Sequence, residues 1–180
     1  MTKIAVFVGS LQKNSFNMLL AQNLEKLAGE GVEFDYIDLN LPLFNQDIEA
    51  SAYPAEAQAM KDKVAAADGV LFVTPEYNRS FPGVLKNAID WVSRPWGHNS
   101  LDRKPTAIVG ASPTPNGTNQ AQQQLRNILI YLNTKLLGQP EVYFAAAHQQ
   151  FDENGDVVEA AKESLQTFMA TFTAWVEDKK

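Results

Sequence analysis

The sequence predicts an α/β fold in which helices cover both faces of a parallel sheet. Short apolar runs alternate with longer stretches of helical periodicity along the chain, which is typical of successive β-α-β units. The length of 180 residues suits one domain with a sizeable core, since a domain averages roughly 150 residues. No internal repeat, low-complexity tract or Gly/Ser-rich linker divides the chain. We therefore expect a single domain, residues 1–180, with a five-stranded sheet in a three-layer, doubly wound architecture.

The chain begins with a predicted strand, a helix and a second strand. Lys3–Val8 is continuously apolar, rich in β-branched and aromatic residues, and closed by Gly9-Ser10, as in a strand buried on both faces. From Ser15 to Ala28, leucines and Phe16 recur at spacings of three and four, which predicts a helix. Val32–Ile37 alternates apolar and polar residues and is predicted to be a strand.

The middle of the chain continues this alternation after an interruption. Leu39–Tyr53 contains Pro42 and is expected to be irregular. Pro54–Ala67 is rich in alanine and predicts a second helix, and Gly69–Thr74 predicts the third strand. Pro82 suits the first turn of a third helix that extends to Val92.

The last part of the chain completes the pattern with two strands and two helices. Thr106–Ala111 predicts the fourth strand. Residues 120–136 predict a helix with leucines and isoleucines on one side. Glu141–Ala146 is the expected fifth strand, and Val157–Val176 the C-terminal helix.

Composition and charge exclude several classes of protein. The chain has no cysteine, so disulfides, zinc–thiolate sites, iron–sulfur clusters and cysteine nucleophiles are excluded. The net charge of −6 does not fit a nucleic-acid-binding protein. The apolar runs are far shorter than the roughly 20 residues that cross a bilayer, and the N-terminal run is too short for a signal peptide. We expect a cytoplasmic protein with neither nucleic acid nor membrane as partner, whose chemistry depends on a bound cofactor or on oxygen and nitrogen groups.

Three loops that follow strands form the expected ligand site, because doubly wound sheets bind ligands at the carboxyl ends of their strands. The first loop, Gly9–Asn17, leads into a helix whose N-terminal amides suit an anion. Its hydroxyl and amide donors suit phosphate oxygens: Ser10, Ser15 and Asn17. Gln12 and Lys13 are expected to close the site from the solvent side. The Gly-x-Gly-x-x-Gly and Gly-Lys-Ser/Thr motifs are absent, which disfavours a dinucleotide fold or a P-loop NTPase. The alternative is that Ser15 or Asn14 only caps the helix.

The second loop, Thr74–Gly83, carries two prolines that stiffen its backbone. A rigid arc of backbone amides beside Tyr77 suits a planar heteroaromatic ring, with Glu76 or Asn78 at its rim. The alternative is an exposed turn whose aromatic residues, Tyr77 and Phe81, pack on neighbouring helices. Two such loops at one edge favour a single ligand that carries both a phosphate and a ring. Gly110–Thr118 is the third loop at this edge.

One distinctive segment is Gly9-Ser10-Leu11 with Ser15-Phe16-Asn17, and a second is the block from Thr74-Pro75-Glu76-Tyr77-Asn78 to Trp91. Both segments resemble the NADPH-dependent FMN reductase family, in particular its quinone and chromate reductases. The resemblance implies a flavodoxin-like three-layer sandwich with strand order 2-1-3-4-5, bound FMN, NAD(P)H as electron donor, and a homodimer or homotetramer. Trp91 and Trp96 are then expected in the core or in subunit contacts rather than at the cofactor.

The resemblance also implies roles for individual residues. The FMN phosphate and ribityl chain would be surrounded by Ser10, Gln12, Ser15, Phe16 and Asn17. The isoalloxazine ring would be held, chiefly through backbone N–H groups, by Pro75, Glu76, Tyr77 and Asn78. Ser112 would make a further flavin contact. Neither a metal nor a catalytic side chain is expected, because the flavin carries the chemistry.

The chain departs from the family pattern at three places in these loops. Gln12 stands where the family usually has arginine, so Lys13 is the candidate charge partner of the phosphate. Arg79 replaces a residue that is commonly aromatic or apolar and places a cation near the open edge of the flavin. Residues 113–117 replace a glycine-rich stretch and predict a stiffer third loop.

Three functional hypotheses follow from these residues. The first is an oxidoreductase that passes a hydride from NAD(P)H through FMN to quinones, or to chromate, azo or nitro compounds, by a ping-pong mechanism. The second is a flavodoxin-like electron carrier or redox-responsive binding module without turnover of its own. The third is a flavin-free domain that binds another phosphorylated small molecule.

Overall fold

The structure, a computed structural model, describes residues 1–179. These residues form six strands, six α-helices and one 3₁₀ turn. The strands are β1 (Thr2–Val8), β2 (Val32–Tyr36), β3 (Gly69–Val73), β4 (Pro105–Ala111), β5 (Lys135–Leu136) and β6 (Val142–Phe144). The helices are α1 (Phe16–Ala28), α2 (Gln46–Ser51), α3 (Ala55–Ala66), α4 (Gly83–Val92), α5 (Asn119–Tyr131) and α6 (Glu159–Lys179). The 3₁₀ turn spans Ala147–Gln149.

The strands form one parallel sheet in the order β2-β1-β3-β4-β5, which confirms the expected order and fold class. The position of the fifth strand is shared by two short segments on the same side of β4. β5 pairs with the start of β4, Pro105 opposite Lys135, and β6 pairs with its end, Ala111 opposite Phe144. The fifth strand expected at Glu141–Ala146 is observed as the shorter β6, and β5 is a further strand that was not predicted.

The structure differs from the sequence-based prediction at the end of one helix and in one segment expected to be irregular. The helix predicted over residues 120–136 ends at Tyr131, because Asn133 has a left-handed φ of 59° and Lys135–Leu136 pairs with β4. The segment expected to be irregular contains α2, which Asn45 caps by accepting a 2.8 Å hydrogen bond from the Asp47 N–H. A six-residue helix is too short for its periodicity to be recognised, and strand pairing can override helical spacing.

Two hydrophobic cores lie on the two faces of the sheet. One contains buried residues of α1 and α6, and the other contains those of α3, α4 and α5. Trp91 is fully buried in the second core, as expected, and its indole N–H donates to the Pro42 carbonyl at 2.8 Å. Its neighbour Asn87 accepts from the Phe44 N–H at 2.8 Å, so α4 fastens the segment that precedes α2. Among residues 1–179, no helix is both long enough and apolar enough to cross a bilayer.

Because all strands are parallel, their carboxyl ends share one edge of the sheet. Loops after β1, β3 and β4 therefore meet there, ahead of the N-termini of α1, α4 and α5. This edge carries the candidate site.

Candidate functional site

A cleft with two lobes lies where the three loops meet. The first lobe, about 290 Å³, lies between the loops after β1 and β3, and the second, about 310 Å³, between the loops after β3 and β4. Both lobes share Glu76 and Ser112. The predicted residues in the first lobe are Ser10, Gln12, Ser15, Phe16, Asn17, Pro75, Glu76, Tyr77 and Ser112. Asn78 and Arg79 line the second lobe, whereas Lys13 lies in an exposed part of the first loop and outside both linings.

The first loop and the second loop approach each other closely at Gly9. The Gly9 N–H donates to the Val73 carbonyl at 2.8 Å, which continues the pairing of β1 with β3. A Cβ at Gly9 would lie 3.3 Å from both the Leu85 and the Pro75 side chains, tighter than most real contacts. Glycine therefore allows the two walls of the first lobe to meet.

The start of α1 offers a row of free backbone donors. The buried Ser15 hydroxyl accepts from the N–H groups of Asn17 and Met18 at 3.2 and 3.3 Å, so Ser15 caps the helix. The N–H groups of residues 13–16 find no acceptor among residues 1–179. Four consecutive free donors at the positive end of a helix dipole suit an anion, so capping and anion binding are compatible here.

Asn17 connects the first loop to the end of β4. Its side-chain amide donates to the Ala111 carbonyl and its Oδ1 accepts from the Ala111 N–H, both at 2.9 Å. The side chain is almost completely buried. This pair of hydrogen bonds sets the position of Ser112, the next residue in the cleft lining. A direct contact of Asn17 with a ligand stays a prediction.

The second loop contains a short β-hairpin whose turn has two central residues. The N–H groups of Tyr77 and Ser80 each donate to the other residue's carbonyl, at 2.9 and 3.0 Å. Asn78 and Arg79 between them have φ values of 51° and 65°, as a type I′ turn requires. The turn uses the Tyr77 N–H, and Pro75 has none, so the expected arc of free donors is narrower than the sequence suggested. Its free members are the N–H groups of Glu76, Asn78 and Arg79, which have no acceptor within the described chain.

Side-chain hydrogen bonds anchor this hairpin on α5. The Glu76 carboxylate accepts from the Ala121 N–H at 3.0 Å, in the first turn of a helix that Thr118 does not cap with its side chain. Gln124 donates to the Arg79 carbonyl at 2.7 Å and accepts from the Ser80 hydroxyl at 2.7 Å. Sequence reasoning missed Gln124, because a glutamine on an exposed helix face gives no local signal of such a role.

The third loop is fastened to the segment after β6. Ser112 accepts from the Ala147 N–H and donates its own N–H to the Phe144 carbonyl, both at 3.0 Å. The Ser112 hydroxyl lies 2.9 Å from the hydroxyl of Thr114 and accepts from the Thr114 N–H at 3.1 Å. Thr114 and Asn116 line the second lobe, which sequence reasoning also missed because polar residues beside proline and glycine are typical of any turn.

Two exposed cationic side chains, Arg79 and Lys13, lie beside the cleft. The Arg79 side chain is 71% exposed, and its guanidinium is 4.0 Å from the Glu76 carboxylate, at the limit of an ion pair. Lys13 is exposed on the opposite loop. Arg94, by contrast, forms a paired hydrogen bond with Glu49 and lies outside the cleft.

Comparisons with known proteins agree with this architecture. The sequence profile of the NADPH-dependent FMN reductase family matches residues 2–149. A 2-hydroxy-1,4-benzoquinone reductase from Burkholderia sp is 49% identical over 180 residues, which cover 99% of this chain and 98% of that protein. A quinone reductase from Pseudomonas putida is 41% identical over 175 residues, which cover 97% and 94% of the two chains. The solved structure of FerB, a flavoenzyme NAD(P)H:(acceptor) oxidoreductase from Paracoccus denitrificans, superposes with a TM-score of 0.94 at 40% identity and 99% coverage of both chains.

Proposed function

The chain belongs to the NADPH-dependent FMN reductase family, and from that premise we propose that it reduces quinones with NAD(P)H. In this proposal the first lobe of the cleft and the second loop hold FMN, and the second lobe receives the electron acceptor. The observation that carries the proposal is the row of four free backbone N–H groups, residues 13–16, beside the first lobe. A phosphate monoester needs several donors and a positive potential, and the start of α1 supplies both. Lys13 belongs to this row and adds a side-chain cation to it. We propose that this cation compensates for the glutamine, Gln12, at the position where the family usually has arginine.

The residues of the second loop fit the ring of the same cofactor. The free N–H groups of Glu76 and Asn78 suit the carbonyl and ring-nitrogen acceptors of an isoalloxazine. Pro75 is buried against the lobe and gives it a rigid apolar wall. Exposed Tyr77 is positioned to cover the ring edge.

When bound, FMN supplies the two-electron transfer between NAD(P)H and the quinone. The chain contributes fixed donors, the N–H groups of Glu76, Asn78 and Arg79, where negative charge increases during reduction. Because the Glu76 carboxylate accepts from the Ala121 N–H, we assign proton delivery to solvent. The second lobe is small enough for one substrate ring at a time, which favours alternating occupancy and ping-pong kinetics.

We expect purified protein to take up FMN in a 1:1 ratio. Under anaerobic conditions we expect it to oxidise one equivalent of NADH or NADPH per flavin without quinone, and to turn over continuously only when a quinone is present. Flavin uptake is measured by quenching of FMN fluorescence, and turnover by nicotinamide absorbance. Double-reciprocal plots at several quinone concentrations are expected to be parallel. An electron carrier would take up FMN without turnover, and a flavin-free domain would show neither, so either result contradicts the proposal. The cytoplasmic location stays a prediction, which cell fractionation tests.

A homodimer, or a homotetramer built from it, is also part of the proposal. Exposed apolar side chains lie on α5 and on the turn after α4: Trp96 is 78% exposed, Tyr131 75% and Ile130 66%. Trp96 and Tyr131 line one groove, and Ile130 is the neighbour of Tyr131 on α5. Two grooves of about 540 and 440 Å³ on this face share Tyr131 and Leu132. A second copy of the chain would bury these side chains.

We expect the double substitution Ile130→Asp with Tyr131→Asp to convert the assembly to monomers, because it places two charges in an apolar interface. Analytical ultracentrifugation measures the change. Ala170→Asp serves as the control, since Ala170 is exposed on α6, across the sheet from this face. An unchanged sedimentation coefficient in the double variant would place the interface elsewhere.

A further inference from the structure

We propose that Arg79 selects electron acceptors that carry a negatively charged oxygen, such as ionised hydroxyquinones, in the second lobe of the cleft. This inference rests on the proposed quinone reductase function and concerns which quinones the site prefers.

The backbone of Arg79 is held in a conformation that favours glycine. Its φ of 65° lies in the left-handed region, at the second central position of the Tyr77–Ser80 hairpin. A side chain at such a position is uncommon and costs free energy relative to glycine. The Arg79 carbonyl accepts from Gln124 at 2.7 Å, so α5 fixes the point from which the guanidinium extends. The chain thus retains a cation where the turn alone would favour glycine.

The charge of Arg79 is only weakly neutralised inside the protein. Within residues 1–179, its one ion pair, with Glu76, spans 4.0 Å and leaves the side chain 71% exposed. The other Glu76 oxygen accepts from the Ala121 N–H, which directs that carboxylate toward the start of α5. The guanidinium therefore keeps hydrogen-bond donors available for a ligand in the second lobe.

The uncharged side chains of the second lobe can also donate to an electron-rich oxygen: Ser112, Thr114 and Asn116. The carboxylate in this lining, Glu76, accepts from the Ala121 N–H and lies 4.0 Å from the Arg79 guanidinium itself. Its volume of about 310 Å³ is at the lower end for small-molecule sites and fits one ring system rather than a whole dinucleotide.

The chemistry of hydroxyquinones matches these donors. A 2-hydroxy-1,4-quinone is a vinylogous carboxylic acid, so it is an anion at neutral pH and its charge is shared between two oxygens. A guanidinium is the side chain best suited to bind such a pair of oxygens. A neutral quinone of the same shape lacks this interaction.

Arg79→Gly removes the cation while retaining a residue that the turn favours, so the hairpin is expected to persist. The matched control is Arg103→Gly, because Arg103 is also exposed with a left-handed φ of 59° but precedes β4, at the opposite edge of the sheet. Arg79→Lys keeps the charge without the planar fork.

Two measurements compare 2-hydroxy-1,4-naphthoquinone with its neutral methyl ether. Calorimetry without NAD(P)H gives the Kd of each compound for the FMN-loaded protein, and steady-state assays give kcat/KM. For Arg79→Gly we expect both quantities to worsen about fivefold to tenfold for the anion, the effect of one screened charge-assisted hydrogen bond, with little change for the ether. Arg79→Lys is expected to show a partial loss, and Arg103→Gly none.

The outcomes separate this inference from the function on which it rests. An equal loss for anion and ether overturns the role of Arg79, as does an anion preference that Arg79→Gly leaves intact. A loss confined to NADPH, with NADH and both quinones unaffected, assigns the guanidinium to the dinucleotide phosphate and also overturns it. A wild-type protein that takes up FMN but reduces neither quinone contradicts the proposed function instead.

Discussion

Replacing Gly110 with alanine is expected to lower the free energy of unfolding by about 3 kcal/mol, the upper end for overpacking a well-packed interior. An alanine Cβ at this position would lie less than 3.0 Å from the Thr74 carbonyl oxygen and from the Thr118 hydroxyl. Neither neighbour can move freely: the Thr74 N–H donates to Val109 at 2.9 Å, and the Thr118 hydroxyl accepts from Gln122 at 2.9 Å. β3 and β4 must therefore separate at their carboxyl ends.

That separation would also widen the cleft, because Thr74 begins the second loop and Gly110 lies two residues before Ser112. We expect weaker FMN binding together with the lower stability, measured by fluorescence titration and by urea unfolding. Gly83→Ala is the control, since a Cβ at Gly83 meets nothing within 4 Å and alanine suits a helix. That variant should stay within about 0.5 kcal/mol of the parent. A Gly110→Ala protein as stable as Gly83→Ala would contradict the close approach of the strands.

Replacing Asn17 with alanine is expected to cost about 2–4 kcal/mol of unfolding free energy. The change leaves the buried N–H and carbonyl of Ala111 without the partners that the Asn17 amide supplies at 2.9 Å. Each unsatisfied buried backbone group costs about 1–3 kcal/mol. Urea unfolding measures the loss, and FMN affinity should fall with it because Ser112 is no longer held in place.

Ser15→Ala is the matched comparison for this prediction. It removes a helix cap two residues earlier, and such a loss costs about 1 kcal/mol. Asn17→Ala is therefore expected to be the more destabilising of the two. If Asn17→Ala instead retains full stability but loses FMN, the side chain acts as a direct ligand, which is the role that the family resemblance implied.

Much of the fold was predictable because its signals are local. Lys3–Val8 and Gly69–Thr74 were recognised within a residue of the observed strands, since a strand buried on both faces must be apolar throughout. The two errors have different causes, a distant partner in one case and a short capped helix in the other. Lys135–Leu136 continues a helical spacing, but β4 recruits it as a strand, and α2 depends on a cap rather than on an apolar face.

The candidate site was partly predictable for a related reason. Parallel strands bring their carboxyl ends to one edge, so the order of strands and loops indicated that Ser10, Glu76 and Ser112 would meet. Local patterns carry no information on the partners of α5, so the role of Gln124 and the contribution of Thr114 and Asn116 to the second lobe were not recognised.

The sequence alone determined three properties: the exclusion of thiol chemistry, the doubly wound fold and the set of loops at the binding edge. These properties follow from composition and from the order of strands and helices, which local residue patterns reveal. Only the tertiary structure decided which polar groups in those loops stay available to a ligand. Asn17 hydrogen-bonds a residue 94 positions away, and Glu76 one 45 positions away. Such pairings depend on how the chain packs and leave no periodic signal in the sequence. These pairings leave the backbone N–H groups of residues 13–16 without an acceptor and the Arg79 guanidinium only weakly paired, so both can bind a ligand.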